Sequence, residues 1–161
     1  MSINLDKLSA DFSQKILVLK GQKVKKDKIV TPESIEKMCT STLGVLQEQG
    51  VYASILYLLS RSGDKTEQKD LSMEEFVACG IVVNLINILN SNELKQIACA
   101  FDNDWDNNVA RVNGCKSKVL KYISDKVAVD LKKLLLVKSL YEQTLIYAQY
   151  GAKALSLSEG T

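Results

Sequence analysis

Histidine is absent from the 161-residue chain, and its absence limits the chemistry that the side chains can perform. Histidine is the commonest general base and the usual partner of a serine or cysteine nucleophile. The composition therefore excludes Ser-His-Asp and Cys-His catalysis. Neither G-x-x-x-x-G-K-[ST] nor G-x-G-x-x-G occurs, so no glycine-rich phosphate loop is expected. We expect a protein that is not an enzyme and uses no cofactor.

Cysteine is scarce as well, and its spacing does not favour a metal site. The four cysteines form no C-x-x-C pair, and no histidine is present to complete a mixed zinc site. Cys39, Cys79 and Cys99 fall inside apolar helical patterns, where a reduced cysteine behaves as a small buried hydrophobe. Cys115 lies outside these patterns. We therefore predict reduced thiols and no metal ligands.

Long apolar runs are also missing. No stretch approaches the roughly 20 uninterrupted apolar residues that cross a bilayer, and the first six residues lack the basic and then apolar pattern of a secretion signal. Apolar residues make up 46% and charged residues 25% of the chain, which is typical of a folded globular protein. We expect a cytoplasmic protein that does not bind membranes.

Proline occurs once and glycine eight times, so most of the chain is free of helix breakers. Apolar residues recur with helical spacing, and no window alternates with the period of a β-strand. The sequence predicts an all-α, single-domain bundle of about six helices that spans residues 1–161. The basic segment 21–30 and the tail 157–161 are its candidate mobile segments.

Local signals mark where several of these helices begin. Thr31 is a predicted N-cap, followed by Pro32 at the first helical position. Ser72 and Glu75 have the spacing of a capping box. The predicted helices cover about residues 4–20, 32–49, 51–62, 73–90, 91–101 and 107–123, and a last helix of about 28 residues from Val127 to Leu155.

Asp102-x-Asp104-x-Asp106 begins like the calcium-binding loop of an EF-hand. The sixth position of such a loop needs Gly and the twelfth needs Glu, but this chain has Asn107 and Asn113 there. A solvated acidic loop explains the motif better than ion binding, and docking of a basic partner surface is a further alternative.

Charge is segregated along the chain although the formal net charge is only +2. Residues 1–30 carry +4, residues 111–138 carry +6 and residues 91–110 carry −3. Such basic segments are compatible with a solvated lysine surface or with a phosphate-binding surface. The candidate RNA-binding residues, chosen on charge alone, are Arg111, Lys118, Lys121, Lys126, Lys132, Lys133, Lys23, Lys25 and Lys26. On a continuous helix Arg111, Lys118, Lys121 and Lys126 share one side, whereas Lys116 points elsewhere.

Two blocks resemble a known family. Residues 43–58 read LGVLQEQGVYASILYL, in which a helix ends at a glycine that an apolar helix follows. Residues 134–155 read LLLVKSLYEQTLIYAQYGAKAL, a long closing helix that finishes in an Ala-x-Ala pattern. Both blocks are similar to the small helical subunit of the Cmr-type (type III-B) CRISPR effector complex.

This resemblance implies a small all-α, non-catalytic subunit that is present in several copies. The copies would stack along the complex beside the other Cmr-type effector subunits and help to line the channel where guide and target RNA pair. The alternative is a helical protein–protein adaptor, viral or regulatory, without RNA contact. A steep dependence of RNA binding on salt separates the two, because phosphate contacts release counterions.

Overall fold

The structure is a computed structural model, which describes residues 4–94, 101, 102, 105 and 107–159. Within these residues the fold is all-α and contains no strand, so the predicted fold class is confirmed. The α-helices are α1 (Leu5–Leu17), α2 (Pro32–Gln49), α3 (Val51–Arg61), α4 (Met73–Leu89), α5 (Lys116–Tyr122) and α6 (Leu131–Glu159). Short 3-10 helices cover Lys25–Asp27, Gln68–Asp70 and Val109–Gly114, and a π-helical turn covers Ile123–Val127.

The predicted starts of α2 and α4 are confirmed. The Thr31 hydroxyl accepts the amide of Ser34, and Pro32 opens α2. Ser72 and Glu75 form the complete capping box of α4, with each side chain accepting a bond from the other residue's backbone amide. These contacts satisfy amides that have no partner within the helix.

Helix α4 is the centre of the bundle. Its residues from Phe76 to Ile86 are all buried, so this part of the helix is enclosed around its whole circumference rather than along one stripe. The buried Tyr141 of α6 donates its hydroxyl to the carbonyl oxygen of Leu85, at 2.7 Å. This bond ties the middle of the longest helix to the centre of the core.

Helix α6 packs along both α1 and α2. The Tyr147 hydroxyl donates to Asp6 at the start of α1, and the Ser156 hydroxyl donates to Glu33 at the start of α2, at 2.6 Å. The bond from Ser156 also lowers the pKa of the Glu33 carboxyl below its usual range. A long closing helix was predicted, and in the structure it contacts α1 and α2 along its length.

Several predicted boundaries differ from the structure. Helix α1 ends at Leu17, followed by a turn with Gly21 at a φ of 84°. Helix α6 begins at Leu131 instead of Val127, and it extends to Glu159, so residues 157–159 of the predicted tail are helical. The predicted helix 91–101 lies mostly outside the described residues, and Ser91 to Leu94 form a turn.

Candidate nucleic-acid interface

The predicted helix 107–123 is not continuous, and this changes the geometry of the candidate site. The chain forms the 3-10 helix Val109–Gly114, breaks at Cys115 and restarts as α5. The Asn113 side chain fixes this break, because its amide donates to the carbonyls of Ser62 and Lys65, at 2.8 and 2.7 Å. Arg111 is exposed on the 3-10 helix and does not share a helical register with the lysines of α5.

Lys116 is half-buried, and its side chain contacts the protein itself. Its ammonium donates to the carbonyl oxygen of Leu59, at 2.9 Å, and to that of Gly63, so it reaches the last turn of α3 and the residue beyond it. The carbonyls at the end of a helix lack partners within the helix and carry partial negative charge. Lys116 is therefore a structural residue.

Lys118 is exposed, but it also has a partner. Its ammonium donates to the carbonyl oxygen of Asp102, at 2.6 Å, and lies 5.3 Å from the centre of the Phe101 ring. Phe101 stacks on the buried Trp105 and meets the edge of Tyr122. Lys118 thus helps to hold Phe101 and Asp102 against α5, and only part of its hydrogen-bonding capacity faces solvent.

Lys121, Lys126 and Lys132 are exposed on consecutive elements. Val119, Tyr122, Ile123 and Val127 bury the opposite side of α5 and the π-helical turn. The π-helical turn contacts the start of α6, where Asp130 accepts the amides of Lys132 and Lys133. None of Lys121, Lys126 and Lys132 forms an ion pair within the described part of the chain.

Lys133 is half-buried at the start of α6. We call Lys121, Lys126, Lys132 and Lys133 the basic row. Asp130 caps the N-terminus of α6, because one oxygen of its carboxylate accepts the backbone amides of Lys132 and Lys133.

Lys23, Lys25 and Lys26 are exposed in a separate loop. Buried Val24 and Val30 anchor this loop, and an isolated antiparallel bridge joins Lys23 to Ile29. The Lys25 amide donates to Leu71, and the Gln68 side chain donates to the Lys23 carbonyl. The loop packs against Gln68–Asp70, so the structure divides the candidate residues into two groups on different elements.

Lys26 and Asp27 adopt positive φ angles of 61° and 57° at the tip of this loop. Residues other than glycine rarely adopt this conformation, which costs free energy unless the surroundings enforce it. Here the hydrogen bonds on both sides, from Val24 to Lys28 and from Gly21 to Val30, close the loop into a narrow hairpin. The three lysines are consequently displayed at a defined turn.

Sequence reasoning missed three features of this region. These are the role of Lys116, the N-cap at Asp130 and the exposure of large aliphatic residues beside the basic row. Val129, Leu131 and Leu135 are 70%, 69% and 57% exposed. Only the N-cap left a recognisable signal, an aspartate directly before an apolar helical pattern. Val127 and Leu131 have helical spacing, so the sequence predicted that the last helix begins at Val127 and placed Asp130 inside it.

Exposed aliphatic residues also occur at the other end of α6. Leu157 is 67% exposed there, and so is Val18, just after α1. Leu17, Val18, Gly151, Ala154 and Leu155 line an apolar groove of about 400 Å³. Helix α6 therefore carries an exposed apolar surface near each end.

The remaining candidate groups have structural explanations or fall outside the described residues. Burial raises the pKa of the Cys39 and Cys79 thiols to about 12, so both are protonated at neutral pH. Cys99 and most of the Asp102-x-Asp104-x-Asp106 motif lie outside the described residues, although Asp102 itself is exposed.

Two general properties follow from the described part of the chain. No three acidic or cysteine side chains there are grouped closely enough to hold a metal ion. None of its helices combines the length and apolar character that crossing a membrane requires. Comparison with models of protein families, with curated protein sequences and with solved structures gave no match to this chain.

Proposed function

We propose that this protein is a non-catalytic, RNA-facing small subunit of a Cmr-type CRISPR effector complex. The observation that carries the RNA-binding part is the basic row, which exposes Lys121, Lys126 and Lys132 to solvent, with no ion pair to any carboxylate in the part of the chain that the structure describes. Unpaired lysines on a fixed surface neutralise phosphates and release their counterions. The assignment to this complex rests on the resemblance of residues 43–58 and 134–155, and on the small all-α fold that this resemblance implies.

Stacking of copies along an assembly is supported by the two apolar surfaces of α6. One protrudes at Val129, Leu131 and Leu135, and the other is the groove between Val18 and Leu155. Two different surfaces at opposite ends of one molecule suit head-to-tail contacts, in which each copy offers one surface to each neighbour. Weak RNA contacts from successive copies then add up along the strand.

A protein–protein adaptor without RNA contact is the second candidate. The exposed aliphatic residues favour it, since contiguous apolar patches on a surface mark sites of protein association. The two candidates differ in what they predict for the lysines. If the protein is an adaptor, neutral replacements of the basic row leave the salt dependence of RNA binding unchanged. If it is an RNA-facing subunit, the same replacements reduce that salt dependence.

The test is the salt dependence of RNA binding by the purified protein, measured with single-stranded RNA and with an RNA duplex. Replacing Lys121, Lys126 and Lys132 together by glutamine should weaken binding and reduce the slope of log K against log[salt] by about 2 for single-stranded RNA. In the matched control, Lys23, Lys25 and Lys26 are replaced by glutamine, so that the hairpin loop also loses three positive charges. A slope unchanged by the first variant, or a larger loss with the control, refutes the assigned surface.

Copurification from the native host at mild salt tests the assignment to a complex. The companions should include the other effector subunits and a guide RNA. Copurification with unrelated proteins and without nucleic acid would support the adaptor function and contradict the assignment to a CRISPR complex.

A further inference from the structure

A cleft of about 510 Å³ lies outside both basic groups, between α2, α3 and the start of α4. Its lining combines two cations, an aromatic ring, two methionines and one carboxylate: Lys37, Arg61, Tyr57, Met38, Met73 and Glu74. Clefts of this volume, with apolar walls and a few placed polar groups, are typical of small-molecule sites.

The helices place these side chains by simple spacing. Lys37 and Met38 follow Ser34 by three and four residues on α2, and all three line the cleft. Tyr57 and Arg61 are four residues apart on α3. The opposite wall is the first turn of α4, which the capping box at Ser72 and Glu75 fixes.

A further contact fixes the position of this wall relative to α2. The Thr31 hydroxyl lies 3.7 Å from the sulfur of Met73, so the start of α4 is held beside the start of α2. The cleft is thus formed by three anchored elements, and its two methionine side chains come from opposite walls.

Arg61 forms the polar centre of the cleft. Its guanidinium lies 5.3 Å from the centre of the Tyr57 ring, and its Nη1 is 3.3 Å from Oε1 of Glu74. With Lys37 the lining carries two positive charges and one negative charge. A single anionic group is therefore attracted, and Arg61 retains donors that Glu74 does not use.

The chemistry of the walls indicates what is attached to that anion. Nucleobases stack on tyrosine rings and on guanidinium planes, and the cleft offers both, with the Arg61 guanidinium 5.3 Å from the centre of the Tyr57 ring. Met38 and Met73 supply polarisable, adaptable apolar contacts. The Glu74 carboxylate only accepts hydrogen bonds, so it favours a base with an exocyclic amino group.

We infer that this cleft binds one nucleoside monophosphate unit, either as a free nucleotide or as one nucleotide of a single-stranded RNA. Lys37 and Arg61 hold the phosphate, the base lies against Tyr57 and the methionines, and Glu74 accepts a hydrogen bond from an amino group of the base. Adenine, cytosine and guanine, which carry such an amino group, are therefore preferred to uracil. Binding of an RNA strand in this cleft rests on the proposed function, whereas binding of a free nucleotide does not.

The methionines provide a direct readout. The chain contains three, Met1, Met38 and Met73, and two of them line the cleft. The protein labelled with ¹³C at the methionine methyl groups is titrated with AMP, CMP, UMP, inorganic phosphate and a short single-stranded RNA. AMP and CMP should shift the Met38 and Met73 signals saturably, UMP and phosphate more weakly, and none of them should shift the Met1 signal.

Variants assign the contacts. Lys37→Gln and Arg61→Gln should each weaken AMP binding by about tenfold, because each removes a charge-assisted hydrogen bond. The control Lys121→Gln should bind AMP as the unmodified protein does. Glu74→Gln should reduce the preference for CMP over UMP, since an amide both donates and accepts hydrogen bonds.

The outcomes separate the ligand sources and the two proposals. Saturable shifts with AMP establish a free-nucleotide site, and shifts with the oligonucleotide alone establish an RNA-strand site. Unchanged Met38 and Met73 signals with every ligand overturn the inference, as do shifts that survive both Lys37→Gln and Arg61→Gln. Failure of the basic-row variant to alter the salt slope affects only the proposed function, because those lysines lie outside the cleft.

Discussion

The ammonium of Lys116 lies 2.9 Å from the carbonyl oxygen of Leu59 and thereby fastens the start of α5 to the last turn of α3. It also donates to Gly63, which follows α3 at a φ of 74°. Lysines of one basic segment therefore serve different purposes. Lys116 satisfies backbone carbonyls inside the protein, while Lys121 faces solvent.

We predict that Lys116→Met lowers the free energy of unfolding by about 1–3 kcal/mol, because partly buried carbonyls lose a charged donor. Lys121→Met should change it by less than about 0.5 kcal/mol, as is usual for exposed residues. Urea denaturation followed by circular dichroism measures both. Equal stability losses in the two variants would show that the contacts of Lys116 contribute nothing to the fold.

The pH dependence of stability should report the buried thiols and the buried phenol. Burial raises the pKa of the Tyr141 hydroxyl well above its usual value and that of the Cys39 thiol to about 12. In the unfolded chain these groups ionise near their ordinary values, so the folded state binds more protons at alkaline pH. Their stabilising contribution is complete below about pH 8 and falls as the pH rises, first for the thiol and then for the phenol, with a slope of up to about 1.4 kcal/mol per pH unit for each group.

Urea midpoints measured between about pH 8 and pH 11 test this prediction. Tyr141→Phe removes one titrating group and should flatten the alkaline decline. At neutral pH it should cost about 0.5–1.5 kcal/mol, because the bond to Leu85 is lost. An alkaline slope equal to that of the unmodified protein would contradict the assignment to Tyr141.

Two glycines inside helices should respond oppositely to substitution. A Cβ atom at Gly80 would lie 2.5 Å from a methyl carbon of Leu19, in the turn that follows α1. Gly80→Val should therefore destabilise the protein by about 1–3 kcal/mol through overpacking. At Gly44 the added carbon would meet no atom within 4 Å outside the adjoining backbone of α2, so Gly44→Ala should stabilise α2 by up to about 1 kcal/mol.

Thermal unfolding of both glycine variants provides the comparison. A stabilised Gly80→Val variant would mean that α1 can shift away from α4 without loss of packing. A destabilised Gly44→Ala variant would indicate that the open side of α2 is covered by a partner or a second copy in solution.

The sequence predicted those helix ends that short-range contacts determine. The Thr31 cap, Pro32 and the capping box of Ser72 and Glu75 involve residues within four positions of one another, so their pattern is visible in the chain. The burial of α4 was predictable too, since apolar residues occur on every side of it.

The candidate site was less predictable, because contacts between distant residues determine it. The break at Cys115 depends on Asn113 binding carbonyls that lie 48 and 51 residues away in the sequence. The partner of Lys116 is 57 residues away. The charge total of residues 111–138 could be counted, but which of its lysines face solvent follows from this packing.

The last prediction concerns association between copies. Val129→Ser, Leu131→Gln and Leu135→Gln together remove the protruding apolar surface, and Val18→Ser with Leu157→Gln alters the surface at the other end of α6. Both sets are mostly exposed, so each variant should keep its helical spectrum and lose little stability. We expect the unmodified protein to form higher assemblies at high concentration, and each variant should abolish them, as measured by analytical ultracentrifugation.

Mixing the two variants distinguishes head-to-tail stacking from a symmetric interface. In head-to-tail contacts each variant retains one intact surface, so the mixture should form one-to-one dimers and nothing larger. A symmetric interface uses the same patch on both copies, so a mixture would not restore association. Instead, the variant in which that patch is unmodified would dimerise by itself. Association of either variant alone, or no association in the mixture, would therefore contradict stacking through the two ends of α6.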